Sequence, residues 1–254
     1  MVCRKLSGNS MRAFLLFFLL PATWLWSGCV SEKEKKNNSV IVFLITEDSL
    51  NYEAHLTIPV FDEQLRKEKK YEVHVLQGTG SHGSNSYPDF KQVERADLVV
   101  VFSRRVAMPA EQLNILKAYL QKGKSLMGIR TANHAFTTRT PVESGFEAWP
   151  EFVADILGCE NRGYGPVEPG TEVFVNPEQQ THPVLKDISV QQWHSEGNVY
   201  LVAPLLDSSA TVLLNGKADG KVEPVAWTRL AGKSKVFYTS LGYPTDFRSA
   251  PFLT

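Results

Sequence analysis

Disulfides are the first thing this sequence cannot build with. Its 254 residues hold three cysteines, Cys3, Cys29 and Cys159, and no Cys-x-x-Cys pair. A disulfide scaffold and a thiolate zinc site of the usual spacing are therefore excluded. Neither sign of charge is in excess: 27 Lys and Arg face 27 Asp and Glu. The clustered basic surplus of a nucleic-acid binder is missing, so no nucleic-acid partner is expected. The longest apolar run, Ala13 to Leu20, is followed by Pro21, too short and interrupted for a spanning helix of ~20 residues. Repeats and low-complexity tracts are missing too. What is present, 43% hydrophobic and 11% aromatic residues, can bury a substantial core in one α/β domain.

The N-terminal 38 residues carry targeting rather than fold. From Met11, the string MRAFLLFFLLPATWLWSGC gives a basic residue, an apolar run, a proline and then small residues before Cys29. That is the three-part shape of a secretory signal. Ser27-Gly28-Cys29 resembles the end of a bacterial lipoprotein box, in which Cys29 becomes the lipid-bearing N-terminus. Trp26 departs from it, standing where an aliphatic residue is usual. The expectation is an exported protein tied to a membrane by lipidated Cys29, with ordinary cleavage and release as the alternative. Residues 1–29 are then signal, 30–39 a charged tether, and 40–254 the folded domain. Cys159 is left alone, and the fold must stand on its core.

Along the domain, continuous apolar runs alternate with amphipathic stretches. Strands are predicted at Ser39–Ile45, Tyr71–Leu76, Asp97–Phe102 and Lys124–Ile129, each apolar enough to be buried on both faces. Helices are predicted at Asn51–Lys70, with an irregular start because of Pro59, and at Pro109–Gln121. GTGSHGSNS, residues 78–86, reads as a loop over the strand tips. The alternation implies an open, mainly parallel sheet with helices on both faces. In the second half, Phe146–Leu157 reads as a helix ended by Gly158. Thr171–Val175, Ala210–Leu214, Val222–Thr228 and Ser234–Ser240 read as strands added antiparallel at one edge. Ligands of such sheets bind outside the carboxyl ends of the strands. Those tips are Glu47-Asp48, Gln77-Gly78, Arg104-Arg105 and Arg130-Thr131.

GIRTANHAF, residues 128–136, has the form of a nucleophile elbow, a sharp strand-to-helix turn that exposes one side chain above the sheet. In class I glutamine amidotransferases that residue is a cysteine. Here Arg130-Thr131-Ala132 stand at the turn, so thiolate chemistry there is excluded, and Cys159 suits a small buried thiol. GKSLMGIRTANHAF, THPVL at 181–185 and EPVAWTRLAGKSKVFYTSLGYPTDF at 223–247 together resemble the ThuA-like (trehalose utilisation) family, from about Val40 onward. The resemblance implies a flavodoxin-like, glutamine amidotransferase-like sheet and a link to carbohydrate use. Exported relatives often carry the label of secreted glycosyl hydrolase. Two departures accompany it: CENRGYGPVEPG lacks a histidine that relatives place after the Leu-Gly turn, and the chain stops at PFLT where relatives continue into an apolar helix.

The candidate catalytic residues are His134, Asp48 and Asp246. His134 suits acid–base work or metal ligation, and the two aspartates are tip carboxylates. Candidate substrate-binding residues are Arg130, Glu47, Arg104, His182, Trp193, His194 and Tyr243. Arg130 is expected to pair with Glu47 or Asp48, and Asp246 either to cap a last helix or to face His134. Three uses of this set are open. One is hydrolysis of a saccharide, which needs two carboxyl groups ~5–9.5 Å apart. Another is non-catalytic sugar binding by a lipoprotein. The last is metal-dependent sugar chemistry, with a divalent cation held by His134, His182, His194 and Asp246.

Overall fold

The structure, a computed structural model, describes residues 38–253. The expected signal, Cys29 and most of the expected tether lie outside them. No helix among the described residues is long and apolar enough to cross a membrane.

The chain begins with β1 (Ser39–Thr46), apolar and buried from Val40 onward. Tyr52 and Glu53 then take positive φ values of 49° and 55° before α1 (Ala54–Lys67) starts; the irregular start lies there and not at Pro59, which the helix carries inside it. β2 (Tyr71–Ser81) runs five residues past its predicted end and turns back as β3 (Ser84–Ser86). The stretch 78–86 is thus a hairpin rather than a loop: Thr79, Gly80 and Ser81 pair with Ser86, Asn85 and Ser84. After α2 (Gln92–Arg95) come β4 (Leu98–Phe102), the short β5 (Met108–Pro109), α3 (Ala110–Gln121) and β6 (Ser125–Ile129). The predicted helix over 146–157 is mostly replaced. Phe146–Glu147 is a two-residue strand, β7, and only Phe152–Leu157 is helical, as one wide π-type turn. β8 (Thr171–Val175), β9 (Gln192–Ser195), β10 (Thr211–Ala218), β11 (Lys221–Ala231), β12 (Ser234–Thr239) and α4 (Ala250–Leu253) complete the order.

Ten strands form one sheet in the order β3-β2-β1-β4-β6-β12-β11-β10-β8-β9. The five strands β2, β1, β4, β6 and β12 are parallel, and their spatial order is the flavodoxin-like 2-1-3-4-5. β11, β10, β8 and β9 extend one edge antiparallel, which the sequence placed for β8, β10 and β11. The predicted strand over 234–240 is instead parallel, because β12 pairs with β6 and closes the parallel set, and β9 was not predicted. One face of the sheet packs Val42, Leu44, Val99 and Val101 against Leu113, Leu116 and Tyr119 of α3. The other packs Ile41, Phe43 and Val100 against Ala54 and Ile58 of α1. Because the five strands pair in parallel, the carboxyl ends of β1, β4, β6 and β12 open on the same side.

Candidate functional site

Three of the strand tips are joined below the surface before any site residue is placed. Asn51, fully buried, donates from Nδ2 to the carbonyls of Thr46 (3.0 Å) and Phe102 (2.9 Å), and its Oδ1 accepts from Thr131 Oγ1 at 2.5 Å. One amide therefore ties the ends of β1, β4 and β6. Ser103 Oγ adds a bond to the Leu44 carbonyl at 2.8 Å.

On this base the elbow is real. β6 ends at Ile129, and Arg130 takes φ +43° as the first residue of a 3₁₀ turn through His134. A non-glycine residue in that region is strained by ~1–3 kcal/mol. It is the position that a nucleophile occupies in enzymes with such a turn. Here the strained residue is an arginine with 1% of its surface exposed. Its Nη1 donates to the Ser240 carbonyl (2.7 Å) and its Nη2 to Asn198 Oδ1 (2.7 Å). The guanidinium lies over the rings of Tyr52, Tyr200 and Tyr243, at 4.0, 4.9 and 5.7 Å from their centroids. Arg130 pairs with neither Glu47 nor Asp48. It is a cationic post that holds three tyrosines, and it stands behind them rather than at the pocket surface.

Those tyrosines wall a pocket of about 430 Å³ at the tips, lined also by Tyr164, Arg104 and His134. Beyond His134 and Tyr164, which line both, lies a second cavity of about 540 Å³ bounded by Arg105, Arg139, Asn133 and Asn161. Both volumes fall in the ~300–1,000 Å³ range of small-molecule sites. His134 sits between them, 5% exposed. Its Nδ1 is 2.5 Å from Asn133 Oδ1, which fixes the Nδ1–H tautomer and leaves Nε2 a lone-pair acceptor with no partner among the described residues. Asn161 Nδ2 approaches the same Asn133 oxygen at 3.3 Å. The imidazole lies nearly parallel to the Tyr200 ring and edge-on to Tyr164. Burial first, then Arg105, Arg104 and Arg139, push its pKa down to about 3, so the ring is neutral at physiological pH.

The carboxylates are otherwise engaged. Asp48 Oδ2 meets Arg104 Nη1 at 2.8 Å and His82 Nε2 at 2.9 Å. Burial alone would raise its pKa, but the Leu50 amide, Arg104 and His82 hold it below the usual carboxylate range. Glu47 is exposed and accepts from Gln77. Asp246 is buried in a 3₁₀ turn, and its Oδ2 accepts from the amides of Gly242 (2.8 Å) and Tyr243 (2.9 Å). It braces the loop that carries Tyr243; it is not a helix cap.

Three nominated residues are placed elsewhere. His182 starts a 3₁₀ turn and accepts from the Val184 amide. Trp193, on β9, borders an apolar groove of about 550 Å³ with Phe61, Leu185 and Phe247, on the α1 side of the sheet. His194 is exposed and bonds Glu172 Oε1 at 2.6 Å. The histidine set nominated for a cation does not converge, and among the described residues no three His, Cys, Asp or Glu side chains cluster as metal ligands. Cys159 is buried, its thiol pushed up to about 12, first by burial. The residues that sequence reasoning passed over are Tyr52, Tyr164, Tyr200, Asn133 and Arg139; Arg105 was named as a strand tip but given no role. Asn133 was inside the quoted elbow and Tyr164 inside CENRGYG, so both were in view.

The ThuA family model, described as trehalose utilisation, matches residues 39–252. The chain belongs to the ThuA family. Two solved structures agree on the fold. A protein described as ThuA-like from Bacteroides uniformis superposes with TM-score 0.62 at 14% identity, covering 89% of this chain and 92% of the other. Another described as ThuA-like, from Parabacteroides merdae, gives 0.57 at 16% identity, covering 82% and 80%. No curated protein matches. The ThuA assignment and the flavodoxin-like sheet thus bear out the resemblance read from GIRTANHAF and the 223–247 segment.

Proposed function

We propose that this ThuA-family chain is an exported protein that takes up a saccharide of trehalose or related sugar utilisation at the tips of β1, β4, β6 and β12. The observation that carries it is His134 Nε2, an unpartnered acceptor on a neutral, buried ring beside the tyrosine-walled pocket. Tyrosine faces suit the apolar side of a pyranose, and their hydroxyls, with Arg104 and Nε2, suit its polar edge. The leader from Met11 to Cys29 supports export and membrane anchoring by lipid. Acid–base chemistry at Nε2 fits the site better than hydrolysis by a carboxylate pair, because Asp48 and Asp246 are held by cations and by backbone amides. An imidazole with a pKa near 3 is itself a weak base, so toward a neutral saccharide the role of Nε2 is to accept a hydrogen bond from a hydroxyl.

The test is calorimetric titration of the full chain with trehalose and a panel of mono- and disaccharides, with product assayed in the same cells. Tyr164 is exposed, so Tyr164→Ala removes one wall without opening the core. We expect Tyr164→Ala and His134→Gln each to weaken saccharide binding about tenfold. Affinities unchanged in both variants, or no saccharide bound at all, would remove this reading.

A further inference from the structure

The second cavity has a chemistry that a neutral sugar does not use. Arg105 and Arg139 both line it. The one carboxylate among its lining residues, Glu160, is already paired with Arg162 Nη2 at 2.9 Å. Neither Arg105 nor Arg139 forms an ion pair among the described residues. Arg105 is presented on a strained backbone at φ +52°, its amide bonded to the His134 carbonyl at 3.2 Å. Asn133, 1% exposed, leaves its amide nitrogen without a hydrogen-bond partner at the wall of the same cavity. A buried donor without a partner and two guanidiniums without a carboxylate partner, Arg105 bonded through its side chain to Tyr164, border one space, a lining that suits an oxyanion.

Resting on the saccharide reading above, we infer that the ligand is a sugar bearing an anionic group. The ring lies in the tyrosine-walled pocket, and the charged oxygens lie against Arg105 and Arg139 in the adjoining cavity. His134 and Tyr164 line both spaces, so one small molecule can reach from the tyrosines to the arginines past Nε2. Arg105 and Arg139 also oppose protonation of His134. An anion between them offsets that field, so the bound ligand itself makes Nε2 a better proton acceptor. A phosphate ester and a carboxylate would serve alike; both are planar or tetrahedral oxyanions that a guanidinium fork accepts.

Calorimetry with the full chain separates these cases, using glucose, glucose 6-phosphate, glucuronate and inorganic phosphate at low ionic strength. At least one charged sugar should bind tenfold or more tightly than glucose. That advantage should fall to about threefold or less in Arg139→Gln, a substitution at an exposed position, and again in Arg105→Gln. Inorganic phosphate should compete with the charged sugar but not with glucose. If glucose binds, is weakened by Tyr164→Ala, and neither charged sugar does better, the anionic site is wrong and the saccharide reading survives. A charged-sugar advantage that persists in both arginine variants would also overturn it. If no sugar binds, charged or neutral, the saccharide reading itself fails.

Discussion

Arg130 and His134 stand four residues apart on one turn, and the fold uses them in opposite ways. Arg130 occupies the strained elbow position at φ +43°, yet spends its guanidinium on Ser240, Asn198 and three tyrosine rings. His134 leaves one ring nitrogen unused beside two open spaces. Burial first disfavours its charged form; the charged groups that add to this are Arg105 and Arg104 after β4 and Arg139 after the elbow, with Asp48 after β1 opposing them. Its folded pKa of about 3 lies below the ordinary 6.5, so the unfolded chain binds the extra proton. Stability should therefore drop as pH falls from about 6.5 toward 3, by at most ~1.4 kcal/mol per pH unit from this residue. Carboxylates held low, such as Asp48, also cost stability in acid, and comparison with a variant isolates the histidine. Urea unfolding of the full chain at pH 7, 6, 5 and 4 should show a shallower acid loss in His134→Gln than in the parent. Equal slopes would mean the imidazole titrates normally.

At the level of elements, the turn after β12 shows how much of the pocket depends on backbone. Gly242 has φ +113°, and a Cβ there would lie 2.6 Å from Ile129 Cγ2 at the end of β6. Its amide and that of Tyr243 are held by Asp246 Oδ2, and this bond sets the Tyr243 ring against Arg130. Gly242→Ala should cost about 1–3 kcal/mol from backbone strain alone, with the clash added. It should also weaken sugar binding through Tyr243. Gly232→Ala is the control, since Gly232 also has positive φ, at +59°, but nothing lies within 4 Å of its Cβ. Equal thermal shifts in the two variants would show that the contact with β6 is unimportant. Four of the five parallel strands and α3 were legible in the sequence, because buried strands must be continuous apolar runs and an amphipathic helix must repeat every 3.6 residues; β12 was read as a strand but placed at the antiparallel edge. The hairpin over 78–86 was not: its glycines and serines carry no alternation, and its pairing is set by backbone alone. β9 was hidden for a related reason, as its four residues Gln192–Ser195 are mostly polar and edge-exposed. Of the site, the tips were legible because polar residues end apolar runs there. Of the tyrosine walls only Tyr243 was, beyond the tip of a clear strand, since Tyr164 and Tyr200 come from irregular segments that no periodicity marks.

For the molecule as a whole, a formal net charge of +0 conceals a strongly cationic cleft, because composition sums what the fold separates. Arg104, Arg105 and Arg139 gather at one end of the sheet, and Asp48 offsets only the first. The same long-range order argues that the parallel and antiparallel halves are one folding unit. β12 pairs with β6 on one side and β11 on the other, so the ladder has no break between them. The core is shared as well: Trp227 of β11 and Tyr200 pack in one cluster with Val99, Val101 and Leu113 of the first half. The Trp227 indole donates to the Leu157 carbonyl at 2.9 Å, far inside that cluster. If either half opened alone, Trp227 would be stripped of its apolar neighbours, at ~1.5–3 kcal/mol for each large side chain exposed. Urea unfolding followed by tryptophan fluorescence and by far-ultraviolet circular dichroism should accordingly give coincident transitions. A fluorescence transition that precedes the loss of secondary structure would show instead that the antiparallel edge detaches first, taking Asn198 and the Tyr200 wall of the pocket with it.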